Sequence, residues 1–451
     1  MMHKDQLVIT LIRAALAALV LALLISAAWL VVGGCSCSMS PSNGNGGGAT
    51  VSPRRPLDAR FLAPDPNGIV RATDRINIAL KDTSASLDGL AQDLKTAFPE
   101  DGFFISHRDA ETGRLQFHFP GGDCDTMKQR IREALPERDL LIWDESLFGW
   151  AAPPPASGPA PGVLPWHLRA LNASNAWSIT RGDPSMVIAV LDDGFDTTHT
   201  ALRGRYVDPY NVRTGIHAVT AGPENWHGTH VSGLVAGNLT GIAPACRIMP
   251  VQLTLPQEQP TVTDVIDGIL YAMRNGAQVI NLSLARVISP DGMPADRTAG
   301  VESAYADEEA FWAELFAMLD ARNITMVMAA GNQGMPVGLD PMQRHPHSIK
   351  VAAVDSLGLL AEFSNYGANT VSAPGVHILS CMAGGGWTRA DGTSMAAPLV
   401  AGMVGLIRHV RPSISNKELV PLLAKSARSH GATGAMPDPD SILRSLDSGT
   451  R

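Results

Sequence analysis

Residues 392–407 read GTSMAAPLVAGMVGLI, a turn of small residues followed at once by an apolar helical run. This pattern places one hydroxyl, that of Ser394, at the N-terminus of a buried helix. Free backbone N–H groups and the positive end of the helix dipole favour negative charge at such a position. Taken alone, the stretch allows two interpretations: Thr393 or Ser394 caps the helix, or Ser394 is a nucleophile.

Short runs of apolar residues alternate with helical stretches from residue 186 onward. The runs span residues 186–191, 248–253, 279–282, 324–330 and 349–354, and the helices between them include residues 264–275 and 307–322. Strands that are buried on both faces and separated by helices indicate a parallel sheet covered by helices on both sides. We therefore predict an α/β fold with a mostly parallel central sheet.

Three polar residues lie at the ends of these elements. Asp192 follows the first strand, His227 opens a helix of small and apolar residues, and Asn332 follows another strand between glycines. Each is explained singly as a turn aspartate, a structural histidine or a turn asparagine. Together with Ser394, however, they supply the carboxylate, base, oxyanion donor and nucleophile that acyl transfer to a serine requires.

The segments around these four residues resemble the signature blocks of the subtilisin-like serine proteases (the subtilase, or S8 peptidase, family). HGTHVSGLVAG begins at His227 and GTSMAAPLVAG at Gly392, and Asp, His and Ser follow one another in the order of the subtilisin triad. The resemblance covers about residues 166–428. It implies a subtilisin-like three-layer fold and a serine endopeptidase that works through an acyl-enzyme intermediate.

The resemblance also implies a role for each residue. Ser394 is expected to attack, His227 to take its proton and return it to the leaving amine, and Asp192 to fix the imidazole tautomer. Asn332 and the backbone N–H of Ser394 are expected to bind the oxyanion. A catalytically silent envelope protein that binds peptides in the same cleft is the alternative, but binding alone would not need all four residues.

Two neighbouring residues compete for these roles. Asp193 occupies a position that is often Ser or Thr in the family, and His230 lies one turn along the helix from His227, where a packing role is simplest. We therefore assign the roles to Asp192 and His227. The resemblance further predicts that an extended substrate binds by β-augmentation against Leu282, Ser283 and Leu284 and against Ala329, Ala330 and Gly331.

The neighbourhood of the expected cleft departs from the family pattern. Ala285 and Arg286 stand where a glycine usually follows Ser-Leu, and residues 287–306 form a longer insertion than usual. Restricted specificity is therefore expected. The predicted peptidase domain spans residues 163–430 and is followed by a weakly ordered tail, residues 431–451.

An N-terminal module precedes this domain. Residues 75–149 follow the order strand, helix, strand, strand, helix, strand, which is typical of a ferredoxin-like α+β fold. A Pro-rich linker, residues 150–162, comes next. By resemblance to subtilase propeptides, the module is expected to act as folding chaperone and inhibitor, and to be released by cleavage between about Asp144 and Gly162.

The first 37 residues predict export to the bacterial cell envelope. Residues 14–32 are almost all apolar and follow two basic residues. The run is long enough to cross a bilayer, and it ends in VGGC, which resembles a lipobox. An uncleaved membrane anchor and a lipid on Cys35 both remain open. Residues 38–74 are predicted to be a flexible tether.

Composition limits the partners. The formal net charge of −8 argues against nucleic acid, whose phosphates require clustered Lys and Arg. The five cysteines show no metal-ligand spacing, so no cofactor or metal is predicted, although structural calcium is possible. Cys246 and Cys381 either form a disulfide or are two buried thiols.

Overall fold

The structure is a computed structural model that describes residues 56–150, 157–158, 162–289, 304–367, 370–429 and 435–448. The apolar segment 14–32, Cys35 and the greater part of the predicted tether lie outside the described residues. From Phe61 onward, the described residues belong to one compact unit.

The strands and helices are numbered in chain order. The strands are β1 (Leu62–Pro64), β2 (Val70–Leu80), β3 (Phe104–Asp109), β4 (Arg114–His118), β5 (Leu140–Ser146), β6 (Phe148–Gly149), β7 (Ser157–Gly158), β8 (Val187–Asp192), β9 (Tyr210–Asn211), β10 (Arg247–Gln252), β11 (Val279–Leu282), β12 (Ala285–Arg286), β13 (Thr325–Ala329), β14 (Ile349–Val354), β15 (Thr370–Pro374), β16 (Ile378–Met382), β17 (Gly386–Ala390), β18 (Ala427–Ser429) and β19 (Ala435–Pro437). The α-helices are α1 (Leu87–Ala97), α2 (Cys124–Ala134), α3 (Trp166–Ala170), α4 (Ala173–Ala176), α5 (His227–Ala236), α6 (Val262–Arg274), α7 (Ala306–Ala321), α8 (Pro341–Arg344), α9 (Thr393–Val410), α10 (Asn416–Lys425) and α11 (Pro439–Ser448).

The N-terminal module is an antiparallel sheet with the spatial order β5-β2-β4-β3. Its helices, α1 and α2, place Leu90, Leu94 and Ile131 in the core beside the sheet. This is the predicted ferredoxin-like arrangement. The module begins earlier than predicted, because β1 pairs with β2 from Leu62↔Ala72. The prediction of a tether up to residue 74 is therefore wrong for its last part.

The second sheet has the order β18-β19-β15-β14-β13-β11-β8-β10-β9. Its described neighbours are parallel apart from the antiparallel pair β18–β19. Successive side chains of a strand point to opposite faces. In β8, Ile188 and Val190 pack in the core formed with α5 and α9, whereas Ala189 and Leu191 pack in the core formed with α6 and α7. This confirms the predicted three-layer α/β fold.

The helix α9 lies at the centre of the first of these cores. Among the described residues, it is the one helix whose length and hydropathy would allow it to cross a membrane, but 89% of it is buried inside the protein. A buried core helix of a globular domain also meets these criteria of length and hydropathy. The apolar side chains of α9 pack in the core beside the large sheet.

The C-terminal residues depart from the prediction of a weakly ordered tail after residue 430. The strand β19 joins the large sheet beside β15, and Ile442 and Leu443 of α11 are buried, at 1% and 0% exposure. Burying one such side chain contributes about 1.5–3 kcal/mol. The described residues 435–448 therefore belong to the peptidase domain.

The structure decides whether Cys246 and Cys381 form a disulfide or are two free thiols. Cys246 and Cys381 are both buried and free, and burial raises the pKa of each thiol to about 12. The disulfide is therefore the wrong alternative, and the two buried thiols are confirmed.

Candidate active site

Asp192 and His227 form a buried hydrogen-bonded pair at the carboxyl end of β8. His227 Nδ1 donates to Asp192 Oδ1 at 2.7 Å, and the two side chains are 1% and 0% exposed. Burial alone would lower the pKa of His227, but the adjacent Asp192 carboxylate outweighs it and raises that pKa above its ordinary value. Because Nδ1 carries the shared proton, Nε2 is the nitrogen that is free to accept another.

Asp193 does not compete for the imidazole. Its carboxylate oxygens accept the backbone N–H groups of His227, at 3.2 Å, and of Gly228, at 2.8 Å. These are orphan donors of the first turn of α5, and the carboxyl oxygens satisfy them. Burial and the neighbouring Asp192 charge raise the pKa of Asp193 to about 8. Asp193 therefore anchors the helix that carries His227.

His230 has the packing environment expected of it. Its side chain is fully buried, and Nε2 donates to the carbonyl of Ile378 at 3.1 Å. Burial lowers its pKa to about 3. Burial therefore keeps His230 neutral, and its role is packing in the core.

Ser394 lies in the first turn of α9, and the local sequence explains why. Gly392 precedes the helix with φ of 153°, a conformation that side chains disfavour. Pro398 has no N–H and cannot bond the carbonyl of Ser394 four residues earlier. Ser283 compensates, because its hydroxyl donates to that carbonyl at 2.9 Å. The hydrogen bond from Ser283 thus fixes Ser394 to the residue that follows β11.

Asn332 is held by the residue next to Ser394. Its Oδ1 accepts both the backbone N–H and the hydroxyl of Thr393, each at 2.9 Å. Its Nδ2 is buried and has no hydrogen-bond partner among the described residues, and the same holds for Ser394 Oγ and His227 Nε2. Unpartnered buried polar atoms are costly. Three of them on the residues predicted to act together mark a site prepared for a ligand.

The predicted substrate-binding segments take different parts in the cleft. Leu282, at the end of β11, lies beside Met328 of β13, and Leu282, Ser283 and Leu284 are buried. The edge that pairs with another strand is β12, one residue further along: Ala285 faces Gly149 and Arg286 faces Phe148. The predicted pairing edge is therefore displaced toward the C-terminus.

The segment Ala329–Gly331 is a wall of the cleft. The carbonyls of Ala329 and Ala330 both accept the side-chain amide of Gln343. The N–H of Ala330 donates to β14, and the N–H of Gly331 donates to the hydroxyl of Thr393. The N–H groups of Ala330 and Gly331 are therefore already bonded within the protein. β-Augmentation against this segment stays a prediction.

A strand of the protein itself occupies the cleft. Besides its pairing with β12, the strand β6 donates the N–H of Phe148 to the carbonyl of Pro260 at 2.8 Å. The ring of Trp150, which follows β6, lies 5.7 Å from the imidazole of His227. The sequence pattern missed Phe148 and Trp150 as cleft residues because both belong to the region assigned to the module and its linker.

A small pocket lies between β12 and the wall segment. Ala285, Ala330, Gln333 and Asn365 are among its lining residues, and its free volume is ≈ 10 Å³. That is about the space that one water molecule occupies. Ala285, which stands where the family usually has glycine, is one of the residues that line this pocket.

One group of described side chains has its ligand atoms within metal-binding distance of one another: Asp192, Asp193 and His227. These atoms already take part in hydrogen bonds. Asp192 Oδ1 accepts from both His227 Nδ1 and the N–H of Asp193, and Asp193 holds the start of α5. The arrangement fits a proton-transfer pair.

The combination of a buried Asp–His pair, a serine at a helix N-terminus and an unpartnered amide defines a serine hydrolase. A short strand of the chain, β6, pairs with β12 beside this centre.

Comparison with known proteins identifies the family of the chain. The family described as Peptidase_S8, Subtilase family, matches residues 183–442, and the chain belongs to that family. It is 37% identical over 241 residues to the thermophilic serine proteinase of Bacillus sp. (strain AK1), across 51% of this chain and 54% of that one. It is 30% identical over 280 residues to subtilisin Savinase of Lederbergia lenta, across 60% and 93% of the two chains.

A solved structure shares the fold. The crystal structure of fervidolysin from Fervidobacterium pennivorans matches with a TM-score of 0.63 at 20% identity, over 87% of this chain and 65% of that one. At this identity the match supports the fold alone. The chain spans only about half the length of the Bacillus relative.

Proposed function

We propose that the protein cleaves extended protein or peptide substrates with Ser394 as nucleophile, His227 as general base, Asp192 as the group that orients His227, and Asn332 as oxyanion donor. The observation that carries this proposal is the set of three buried atoms without partners, Ser394 Oγ, His227 Nε2 and Asn332 Nδ2. Each atom has one task in acyl transfer. The proposed steps call on these side chains and on no metal or cofactor.

The Ser394 hydroxyl attacks the carbonyl carbon of the scissile bond, and its proton passes to His227 Nε2. Asp192 keeps Nδ1 protonated and stabilises the imidazolium. The amide of Asn332 and the N–H of Ser394 stabilise the oxyanion. His227 then protonates the leaving amine, and an acyl-enzyme remains. Water, deprotonated by His227, releases the acid.

A fluorophosphonate probe tests the nucleophile. Covalent labelling of the wild-type chain that disappears in Ser394→Ala supports the proposal. Thr393→Ser is a matched control, because it keeps the hydroxyl that holds Asn332 and should label normally. A wild-type chain that stays unlabelled after processing would leave the peptide-binding alternative.

We propose further that the protein is made as a zymogen, in which the N-terminal module keeps the cleft closed. The supporting observations are the pairing of β6 with β12, the contact of Trp150 with His227, and the 1% exposure of both His227 and Ser394. Trp150 lies on the base and directly follows β6, the strand that fills the cleft. We therefore assign the cleavage to the bonds that follow Trp150, within the predicted interval.

A time course checks the zymogen. Probe labelling should begin only when a shorter chain appears, because the intact chain covers Ser394. An active preparation that contains a single full-length chain would contradict this.

The proposed location is the outer side of the cytoplasmic membrane of a bacterial cell, with the chain held by residues 14–32 or by a lipid on Cys35. The apolar run and the VGGC sequence support it. Cleavage after Trp150 would release the peptidase domain from this anchor unless the module stays bound. Fractionation of cells that express the chain, with mass spectrometry of the membrane-bound fragment, distinguishes retained residues 14–32 from a lipidated Cys35.

A further inference from the structure

Arg286 is a buried cation on the strand that pairs with β6. Its side chain is 1% exposed. Nη2 donates to Glu308 of α7, and Nε lies 3.3 Å from Asp340 Oδ1, just before α8. Burial alone would lower the pKa of Arg286, but these two carboxylates outweigh it and raise that pKa. The guanidinium is therefore charged and fixed in position by residues on two other elements.

The aromatic ring of Phe148 covers this guanidinium. Its side chain is fully buried, and the ring centroid lies 4.6 Å from Arg286 Cζ. The third guanidinium nitrogen, Nη1, is buried and has no hydrogen-bond acceptor among the described residues. A cation within about 6 Å of a ring centroid is attracted by the negative face of the ring, and more strongly where both are desolvated. The ring thus compensates a cation whose hydrogen bonds are incomplete.

Because Phe148 lies in the cleft, the contact of its ring with Arg286 bears on which substrates the cleft binds. Phe148 faces Arg286 in the antiparallel register, and Trp150, two residues later, packs on His227. A substrate that follows the same path would place one of its own side chains over Arg286. An aliphatic side chain there would fill the space but would leave the guanidinium face without a partner.

We infer that Arg286 is a specificity-determining residue, which selects a substrate with an aromatic ring two positions before the residue that packs on His227. This inference rests on the proposed proteolytic function and names the substrate class for the same site. The buried guanidinium distinguishes the π face of a ring from an aliphatic group of equal size. An aromatic side chain is therefore preferred for its electrons as well as for its volume.

Peptides with the sequence of residues 145–152, ESLFGWAA, test this on the expressed full chain. They are added to portions kept free of the probe, once the labelling of parallel portions has become constant. One peptide carries Phe at the position of Phe148, a second carries Tyr, and a third carries cyclohexylalanine, which has nearly the same shape but no π electrons. A desolvated cation–π contact corresponds to roughly a tenfold effect or more. We expect kcat/KM to be about tenfold lower for cyclohexylalanine than for Phe, and nearly unchanged for Tyr.

The variant Arg286→Met supplies the matched control, because it keeps an unbranched apolar side chain and removes the charge. The Phe-to-cyclohexylalanine ratio should fall to about one in this variant. If Arg286→Met does not fold, since it leaves Glu308 and Asp340 unpaired, the three peptides on the wild-type chain still decide the question.

The outcomes separate this inference from the proposed function. Equal kcat/KM for Phe and cyclohexylalanine on the wild-type chain overturns the role of Arg286 and leaves the protease intact. A preparation that labels with the probe in one portion, but cleaves none of the peptides in a portion kept free of the probe, overturns the assignment of the cleft path and leaves the role of Ser394 intact. Failure of probe labelling in the processed wild type refutes the proposed function itself.

Discussion

The hydroxyl of Thr393 should affect kcat through Asn332, and a double-mutant cycle can measure this. In the structure, the Asn332 amide is oriented by two hydrogen bonds to its Oδ1, from the N–H and from the hydroxyl of Thr393. Thr393→Val removes the second bond, together with the bond that the Thr393 hydroxyl accepts from the N–H of Gly331, and keeps the shape of the side chain. A hydrogen bond of this kind contributes about 0.5–1.5 kcal/mol, which corresponds to a roughly 2- to 13-fold change in rate.

Removal of the Asn332 side chain sets the upper limit for the loss of kcat. Asn332→Ala should lower kcat by about 100- to 1000-fold, the range measured for removal of the oxyanion donor of a subtilisin. Because a loosened amide still donates, Thr393→Val should lower kcat about tenfold or less. The change should appear in kcat with KM nearly constant, since the oxyanion exists only in the transition state.

The cycle is measured with the ESLFGWAA peptide on the four processed proteins: wild type, the two single variants and the double variant. In the Asn332→Ala background, Thr393→Val should have almost no further effect on kcat. Thr240→Val is a matched control, because Thr240 is a buried hydroxyl that donates to the carbonyl of Gly233 at 2.8 Å on the far part of α5. Independent, multiplicative losses, or a loss in KM alone, would refute the reasoning.

Three further predictions concern the same site. With chemistry limiting, kcat/KM should rise with pH through the pKa of His227, because only the neutral imidazole accepts a proton. The raised pKa of His227 puts the midpoint of this rise above the ordinary value of about 6.5. A flat profile of kcat/KM from pH 5 to 8 would contradict this. The pocket of ≈ 10 Å³ should exclude large side chains, so replacement of the first Ala after Trp in the ESLFGWAA peptide by Phe should lower kcat/KM at least tenfold, and a faster Phe peptide would argue against this pocket. Ser283→Ala should lower the free energy of unfolding by about 1–3 kcal/mol, since the Ser394 carbonyl loses its donor; calorimetry on that variant, beside Ser185→Ala on an exposed turn, should show the loss only at Ser283.

The features of the fold and the site that could be predicted from the sequence are those that depend on residues close together in the chain. A buried strand ends at Asp192, a buried helix begins at His227, and a small-residue turn leads into α9, and each can be recognised from a few neighbouring residues. The carboxyl ends of parallel strands meet at one edge, so the meeting of these elements followed from the fold class. The choice of Asp192 over Asp193 came from the family pattern, and the structure supplies the reason: Asp193 faces the backbone of α5.

The parts that escaped prediction depend on residues far apart in the chain. The pairing edge is β12 and not Leu282–Leu284, because the register is set by β6, about 140 residues earlier in the chain. Arg286 reads as a surface residue in the sequence, and only the approach of Glu308 and Asp340 makes its burial possible. The helix α11 is short, and its two buried aliphatic side chains, Ile442 and Leu443, gave too weak a pattern to separate it from a tail.

The central claim is that Ser394 cleaves the chain just after the strand that fills its own cleft. Mass spectrometry of the N-termini in a processed preparation tests it most directly, with wild type and Ser394→Ala expressed side by side. We predict a new N-terminus within residues 151–153 in the wild type and an uncut linker in Ser394→Ala. The same cut in Ser394→Ala, or a wild-type N-terminus away from this stretch, would contradict it.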